Sequence, residues 1–169
     1  LEQKGRIENL IVFVSPQQID SVLEILAGHN LMFHKLTEKE GTKAEKRFGN
    51  KSEREHIITK FKSKDYQAIV AIKCMDEGID IPTAGVGILM ASSTNPREYI
   101  QRVGRIIRQS PDKLSAKLYD ICVDTIHNLD DESAALERKI RAKELVRLKE
   151  IAENAINSID ALTVINSLD

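Results

Sequence analysis

This 169-residue chain has no tryptophan and, beyond that, only four Phe and three Tyr, so aliphatic side chains must supply most of its core. Two cysteines, Cys74 and Cys122, are too few for a disulfide framework. Both lie in or beside apolar runs and read as buried thiols of a reducing compartment, so a cytoplasmic protein is expected. Neither has a partner at metal-ligand spacing. His29, His34, His56 and His127 are scattered, so no metal site is expected. No apolar run approaches the roughly 18 residues that cross a bilayer, and no signal peptide is visible. Charge of one sign is missing as well. The 25 Lys and Arg against 26 Asp and Glu leave a net charge of −1, so any polyanion must be gripped locally.

Two motifs are also missing. No Gly-x-x-x-x-Gly-Lys-Ser/Thr loop occurs, because Gly41-Thr42-Lys43 lacks both the spacing and a preceding strand. Without that loop, Asp76-Glu77 is not read as a magnesium-holding pair, and Asp131-Glu132 has no apolar strand before it. No Gly-x-Gly-x-x-Gly follows the first apolar run, which weighs against a Rossmann-type cofactor domain. The chain opens on Leu1 and not Met, so a fragment or trimmed chain is expected.

What is present is an alternation of short apolar runs and helical patterns. Residues 10–14 form a β-branched run that reads as a buried parallel strand. Ser15-Pro16-Gln17-Gln18 reads as a capping box with proline in the first turn. The helix it opens ends at Gly28, with Ile19, Val22, Leu23, Ile25 and Leu26 on one stripe. Residues 31–36 read as a second strand and 37–50 as an exposed polar loop. Lys43, Lys46, Arg47 and Lys51 around that loop suit either phosphate or solvent. A helix over 52–61 turns Ile57, Ile58 and Phe61 inward. Strands are expected over 67–72, 85–91 and 114–123. This order predicts an α/β fold with a mostly parallel sheet covered on both faces. Residues 130–158 contain no Gly or Pro and carry an apolar stripe including Leu145, Leu148, Ala152, Ile156 and Ile159. Leu136 and Ile140 belong to the same stripe. The stretch predicts a helical extension, one helix or two with a break, with the chain divided into 1–124 and 125–169.

The most informative stretch is Gln101-Arg102-Val103-Gly104-Arg105-Ile106-Ile107-Arg108. Asn95-Pro96-Arg97-Glu98 just before it has the pattern of a helix start. At about 100° per residue, Tyr99, Ile100, Val103, Ile106 and Ile107 share one arc, and Arg102, Arg105 and Arg108 share another. One side is therefore buried and the other presents planar guanidinium groups at fixed spacing, which suits a polyphosphate. Spacing alone leaves a solvated basic face equally open.

The segment resembles motif VI of superfamily 2 helicases. Residues 68–82, Ala-Ile-Val-Ala-Ile-Lys-Cys-Met-Asp-Glu-Gly-Ile-Asp-Ile-Pro, resemble motif V of the same family. The order also matches: strand, Gly-Ile-Asp turn, second strand, arginine helix. Over residues 10–123 the resemblance is to the second of the two RecA-like motor domains. It implies a RecA-like fold and an N-terminal RecA-like partner domain bearing the P-loop and acidic box. It also implies ATP with Mg²⁺ bound mainly by that partner, so the isolated chain is expected to be inactive. Carried over by position, Arg105 and Arg108 become arginine fingers. Gly78 and Asp80 lie beside the nucleotide, Gln101 links nucleotide state to domain closure, and Arg102 holds the two motifs together. Ser15, Arg54 and Lys73 fall where the family meets the nucleic-acid backbone. Ile72 stands where many members carry Thr, which puts a direct phosphate contact there in question, and Lys73 is the substitute. Gln101 stands where DEAD-box RNA helicases carry His. The match therefore points to DNA-directed members such as type I and type III restriction motors and excision-repair helicases, and to double-stranded DNA. A nucleic-acid-binding module without an ATPase role is the alternative.

Overall fold

The computed structural model describes residue 7 and residues 9–72, 84–90, 103, 104, 106, 108, 113–121 and 130–168. The chain divides into two compact units, Leu1–Ile121 and Cys122–Asp169.

The first unit is built on a five-stranded sheet. Its strands are β1 (Leu10–Phe13), β2 (Phe33–Leu36), β5 (Ala68–Ala71), β6 (Val86–Leu89) and β7 (Lys117–Asp120), in the spatial order β2-β5-β1-β6-β7. Every pairing in it is parallel. The central strands β1 and β5 are buried along their whole length, as continuous aliphatic runs should be when both faces of a parallel sheet are covered. In-register residues share a face. Leu10, Val12, Ala68 and Val70 pack with Val22 and Leu26 of α1 (Ile19–Gly28), and Ile11, Phe13, Ile69 and Ala71 fall on the other side. Helix α2 (Glu53–Lys62) contacts β2 and buries Ile57, Ile58 and Phe61. The expected α/β sheet with helices on it is the observed architecture.

Four local readings change. Helix α1 starts at Ile19, with Gln18 as N-cap and no side-chain cap bond, so the expected box at residues 15–18 is only half formed. The Ser15 backbone N–H donates to Gln18 Oε1 at 3.0 Å, and residues 16–18 form a turn ahead of the helix. Ile25 is exposed and lies off the α1 stripe. The polar stretch 37–50 is not simply an open loop. It contains a hairpin of β3 (Ala44–Glu45) and β4 (Lys51–Ser52) around a 3-10 turn, Lys46–Phe48, closed by Gly49 at φ 67°, where a glycine costs least. The last strand is shorter than expected. It is an edge strand, and Leu114 ahead of it is exposed.

The second unit holds α3 (Asp131–Glu153) and α4 (Ser158–Asn166), so the two-helix alternative holds. The Asp130 side chain caps α3 by accepting from the Ser133 N–H at 2.9 Å. Leu145 and Ala152 pack against Ile165, flanked by Leu148, Ala161 and Leu162. Leu136, Ile140, Ile156 and Ile159 of the expected stripe are exposed; the last two follow the break after Glu153, where the helix restarts and the phase of the stripe shifts.

Helix α2 opens on a complete capping box. The Glu55 carboxylate accepts from both the backbone N–H and the hydroxyl of Ser52 at 2.8 Å, and Ser52 Oγ accepts from Glu55 N–H at 3.2 Å. The Ser52 N–H, and then its hydroxyl, hold the Glu55 carboxyl below its ordinary value of 4.5. The folded state therefore favours the carboxylate, and that contribution is present above pH 4.5 and lost as pH falls through the lowered value. Ser52→Ala is expected to cost about 1 kcal/mol in urea unfolding at pH 7. Glu55→Gln is expected to be destabilising at pH 7, with a gap from the parent that narrows as the pH is taken below 4.5. A gap that stays constant into acid would contradict this account of the cap.

Candidate functional site

The parallel strands all end at one edge of the sheet, the edge at which open α/β sheets receive ligands. The chain runs from β1 outward to β2, returns to β5, then crosses past β1 to β6 on the other side. The crossing connection, residues 72–85, carries Lys73, Gly78 and Asp80 in sequence. Ser15 follows β1 directly and is half-buried. Gln18 links two strand exits: its Oε1 accepts from Ser15 N–H, and its Nε2 donates to the Met90 carbonyl after β6 at 3.5 Å.

The arginine segment sits on this frame. Val103, Gly104 and Ile106 are helical and Arg108 is not, so the helix ends between Ile106 and Arg108. Val103 and Ile106 are buried, as the 100° spacing expects of the apolar arc; Gly104 between them is exposed, and so is Arg108 beyond the helix. The seat of Ile106 is Gly87. A Cβ built there would lie 2.2 Å from Ile106 Cδ1, closer than real carbon atoms approach. Gly87 is in register with Ile11, so the arginine helix lies on the sheet face opposite α1. Only a glycine lets the helix come this close to β6.

Lys113, which no sequence reading singled out, holds the same helix by its last described turn. Its Nζ donates to the Ile106 carbonyl at 2.7 Å and to the Ala84 carbonyl at 2.8 Å. Burial pushes its ammonium below the ordinary lysine range. The only sequence signal is a lysine just beyond a helix end, where a cation suits the last free carbonyls.

Arg54 is committed to the loop after β2. Its Nε donates to the Glu40 carbonyl and its Nη2 to the Thr37 carbonyl, each at 3.0 Å. Two of the five donors a guanidinium carries are thus used inside the fold. The buried Glu40 carboxylate accepts from the N–H and hydroxyl of Thr37, and Glu53 accepts from Gly41 N–H at 3.0 Å. The loop is lashed to the start of α2, and this is the structural job of Arg54. On the hairpin, Lys43, Lys46, Arg47 and Lys51 are exposed. Arg47 pairs with Glu45 at 2.8 Å and stacks over the Phe48 ring at 4.5 Å. Gly78, Asp80, Gln101, Arg102, Arg105 and Lys73 lie outside the described residues, as do Cys74 and Cys122. Among the described residues, no three His, Cys, Asp or Glu side chains converge on a metal-sized site. No described helix is long and apolar enough to cross a membrane.

The fold is that of the second RecA-like domain of a superfamily 2 helicase. Two solved structures superpose with TM-scores of 0.55. The C-terminal part of the Fun30 ATPase domain is 17% identical, covering 79% of this chain and 47% of that one. A DEAD box protein from Methanococcus jannaschii is 20% identical, covering 85% of this chain and 34% of that one. The family model for the helicase conserved C-terminal domain matches residues 2–110, and the chain belongs to that family. Among curated relatives, the DNA 3'-5' translocase XPB2 of Sulfurisphaera tokodaii is 43% identical over 60 residues, 36% of this chain and 14% of that protein. The DEAD-box ATP-dependent RNA helicase 36 of Arabidopsis thaliana is 28% identical over 137 residues, 78% of this chain and 25% of that protein. The chain thus spans a quarter or less of the length of these relatives.

The seat at Gly87 is open to a size-swap test. Gly87→Ala is expected to destabilise the domain by about 1–3 kcal/mol through overpacking. Ile106→Ala alone is expected to cost about 2–5 kcal/mol through the cavity it leaves. Because the two changes fill and empty the same space, the double variant is expected to lose less than the sum. Strict additivity in urea unfolding would show that the two residues do not share a contact.

Proposed function

We propose that this chain is the second motor domain of an ATP-dependent helicase or translocase acting on double-stranded DNA. It works against an N-terminal RecA-like domain that holds ATP and Mg²⁺. The observation that carries the reading is the end of the arginine segment, with Val103 and Ile106 buried in its helix and Arg108 exposed just beyond it. Water attacks the γ-phosphorus of ATP to release ADP and phosphate, and charge spreads over the equatorial oxygens of the transferring group. Arg105 and Arg108 are the guanidinium groups brought to that charge when the two domains close. Gly78, Asp80 and Gln101 line the nucleotide side of the cleft. Ser15, Lys73 and Arg54 serve the nucleic-acid side, Arg54 by shaping the loop as well as by charge. The described donors here are cationic or neutral and suit phosphate oxygens, and the metal belongs to the partner domain. We place the protein in the cytoplasm, the reducing compartment that two cysteines without a framework suit.

DNA is favoured by the 43% identity to a protein named as a DNA translocase. An RNA substrate is the second reading, supported by the longer match to a protein named as an RNA helicase. Stimulation of ATP hydrolysis in the full-length protein by duplex DNA, single-stranded DNA and RNA separates them, and duplex DNA is expected to stimulate most. Arg108→Ala in that protein is expected to cut ATP turnover by on the order of 10³-fold or more while nucleotide affinity changes much less. Equal losses in turnover and binding would remove the finger role and leave a backbone-gripping module.

A further inference from the structure

We propose that Lys113 is a positioning residue for the arginine segment, tying the end of its helix to the segment that leads into β6 and so fixing where Arg105 and Arg108 stand. The inference rests on the finger reading above and adds a residue to it.

The geometry is a two-way tie. One ammonium donates to the Ile106 carbonyl at 2.7 Å and to the Ala84 carbonyl at 2.8 Å. Ile106 lies between Arg105 and Arg108 in sequence and is the last described helical residue before Arg108. Its carbonyl is among those a helix end leaves without an intrahelical donor. Ala84 comes just after Gly78 and Asp80 in sequence, at the entrance to β6. Lys113 thereby joins the stretches on which the nucleotide-facing residues are strung, a role like the one the family resemblance implies for Arg102.

The Ile106 side chain is fixed as well, pressed onto the backbone at Gly87. Sliding or rotating the helix must break that contact and the Lys113 bond to the Ile106 carbonyl together. The bonds are made by a charged donor in a partly desolvated place, where they are stronger than in water. A guanidinium that stabilises a transition state must be placed closely, since an error of about 1 Å can cost on the order of 10²-fold in rate.

The test is a kinetic cycle in the full-length protein. Lys113→Met keeps the length of the side chain and removes its donors. It is expected to lower kcat for nucleic-acid-stimulated ATP hydrolysis by about 10- to 100-fold, with KM for ATP changed by less than about threefold. In the Arg105→Ala/Arg108→Ala background, the same change is expected to lower kcat by less than about twofold. Lys113→Arg, which keeps a cationic donor, is expected to retain most of the rate. A merely structural lysine would lower kcat by the same factor in both backgrounds, in step with the folded fraction seen in thermal melting, and that result overturns the proposal. If Lys113→Met shows no folded transition, Lys113→Gln, whose neutral amide is too short to bridge both carbonyls, replaces it in the cycle with the same two readings. A double arginine variant that keeps its turnover overturns the finger reading itself. A full arginine effect beside an unchanged Lys113→Met rate overturns only the tie.

Discussion

Ile106 rests on the backbone of β6 at Gly87, where a side chain would leave only 2.2 Å to its terminal carbon. The placement of the arginine segment depends on this contact. Glycine inside a strand ordinarily costs about 0.5–1 kcal/mol relative to alanine, through chain entropy and lost packing. Here the missing Cβ admits a fully buried isoleucine onto a face of the sheet that is otherwise lined by Ile11 and Ile69. Dispersion falls off steeply with separation, so this close seat gains contacts that a looser one would forfeit. The contact also fixes the height of the helix above the sheet, which a fluid aliphatic layer would leave adjustable.

Two basic side chains do similar work at opposite ends of the sheet. Lys113 gathers the carbonyls of Ala84 and Ile106, and Arg54 gathers those of Thr37 and Glu40. Each place is a connection whose backbone acceptors have no strand or helix to pair with. A buried carbonyl without a donor costs about 1–3 kcal/mol, so a long cationic side chain reaching in from elsewhere is favourable even with its own desolvation. For Lys113 that desolvation shows in the lowered ammonium. The geometry matches the chemistry in each case. The planar guanidinium spans two carbonyls of one loop, and the compact ammonium sits between two carbonyls from different parts of the chain.

Much of this was legible in the sequence, and the pattern of success has a physical basis. β1 and β5 were readable because a strand buried on both faces needs an unbroken aliphatic run, as in Leu10-Ile11-Val12-Phe13. Ile57, Ile58 and Phe61 were readable because α2 has only one apolar side. The buried side of the arginine segment followed from helical spacing, as Val103 and Ile106 illustrate. What escaped was set by partners distant in the chain. Lys113 and Ala84 are 29 residues apart, and Arg54 and Thr37 are 17 apart. No local pattern marks either pair. The hairpin in 37–50 was hidden because its strands are two residues each, too short to show alternation. The Ser15 box failed for the opposite reason. Its local signal was sound, but Gln18 also reaches Met90, and the turn it makes there delays the helix to Ile19.

On the proposed reading, these constraints bear directly on how a motor of two domains must be built. A guanidinium that acts only on charge developing in the transition state is most useful when its position is set beforehand, because reorganisation at the moment of reaction adds to the barrier. The movement that brings it to the nucleotide must then come from somewhere other than its own backbone. A helix held at Ile106 by its side chain on Gly87 and by its carbonyl on Lys113 is suited to moving only with the sheet beneath it. Opening and closing would then be displacements of the whole domain, with the Ala84–Lys113–Ile106 tie keeping the strand entrance and the arginine helix in step. The stiffness of this small seat is what would let a distant event, the grip on nucleic acid at the strand ends, reach the phosphate without being dissipated on the way.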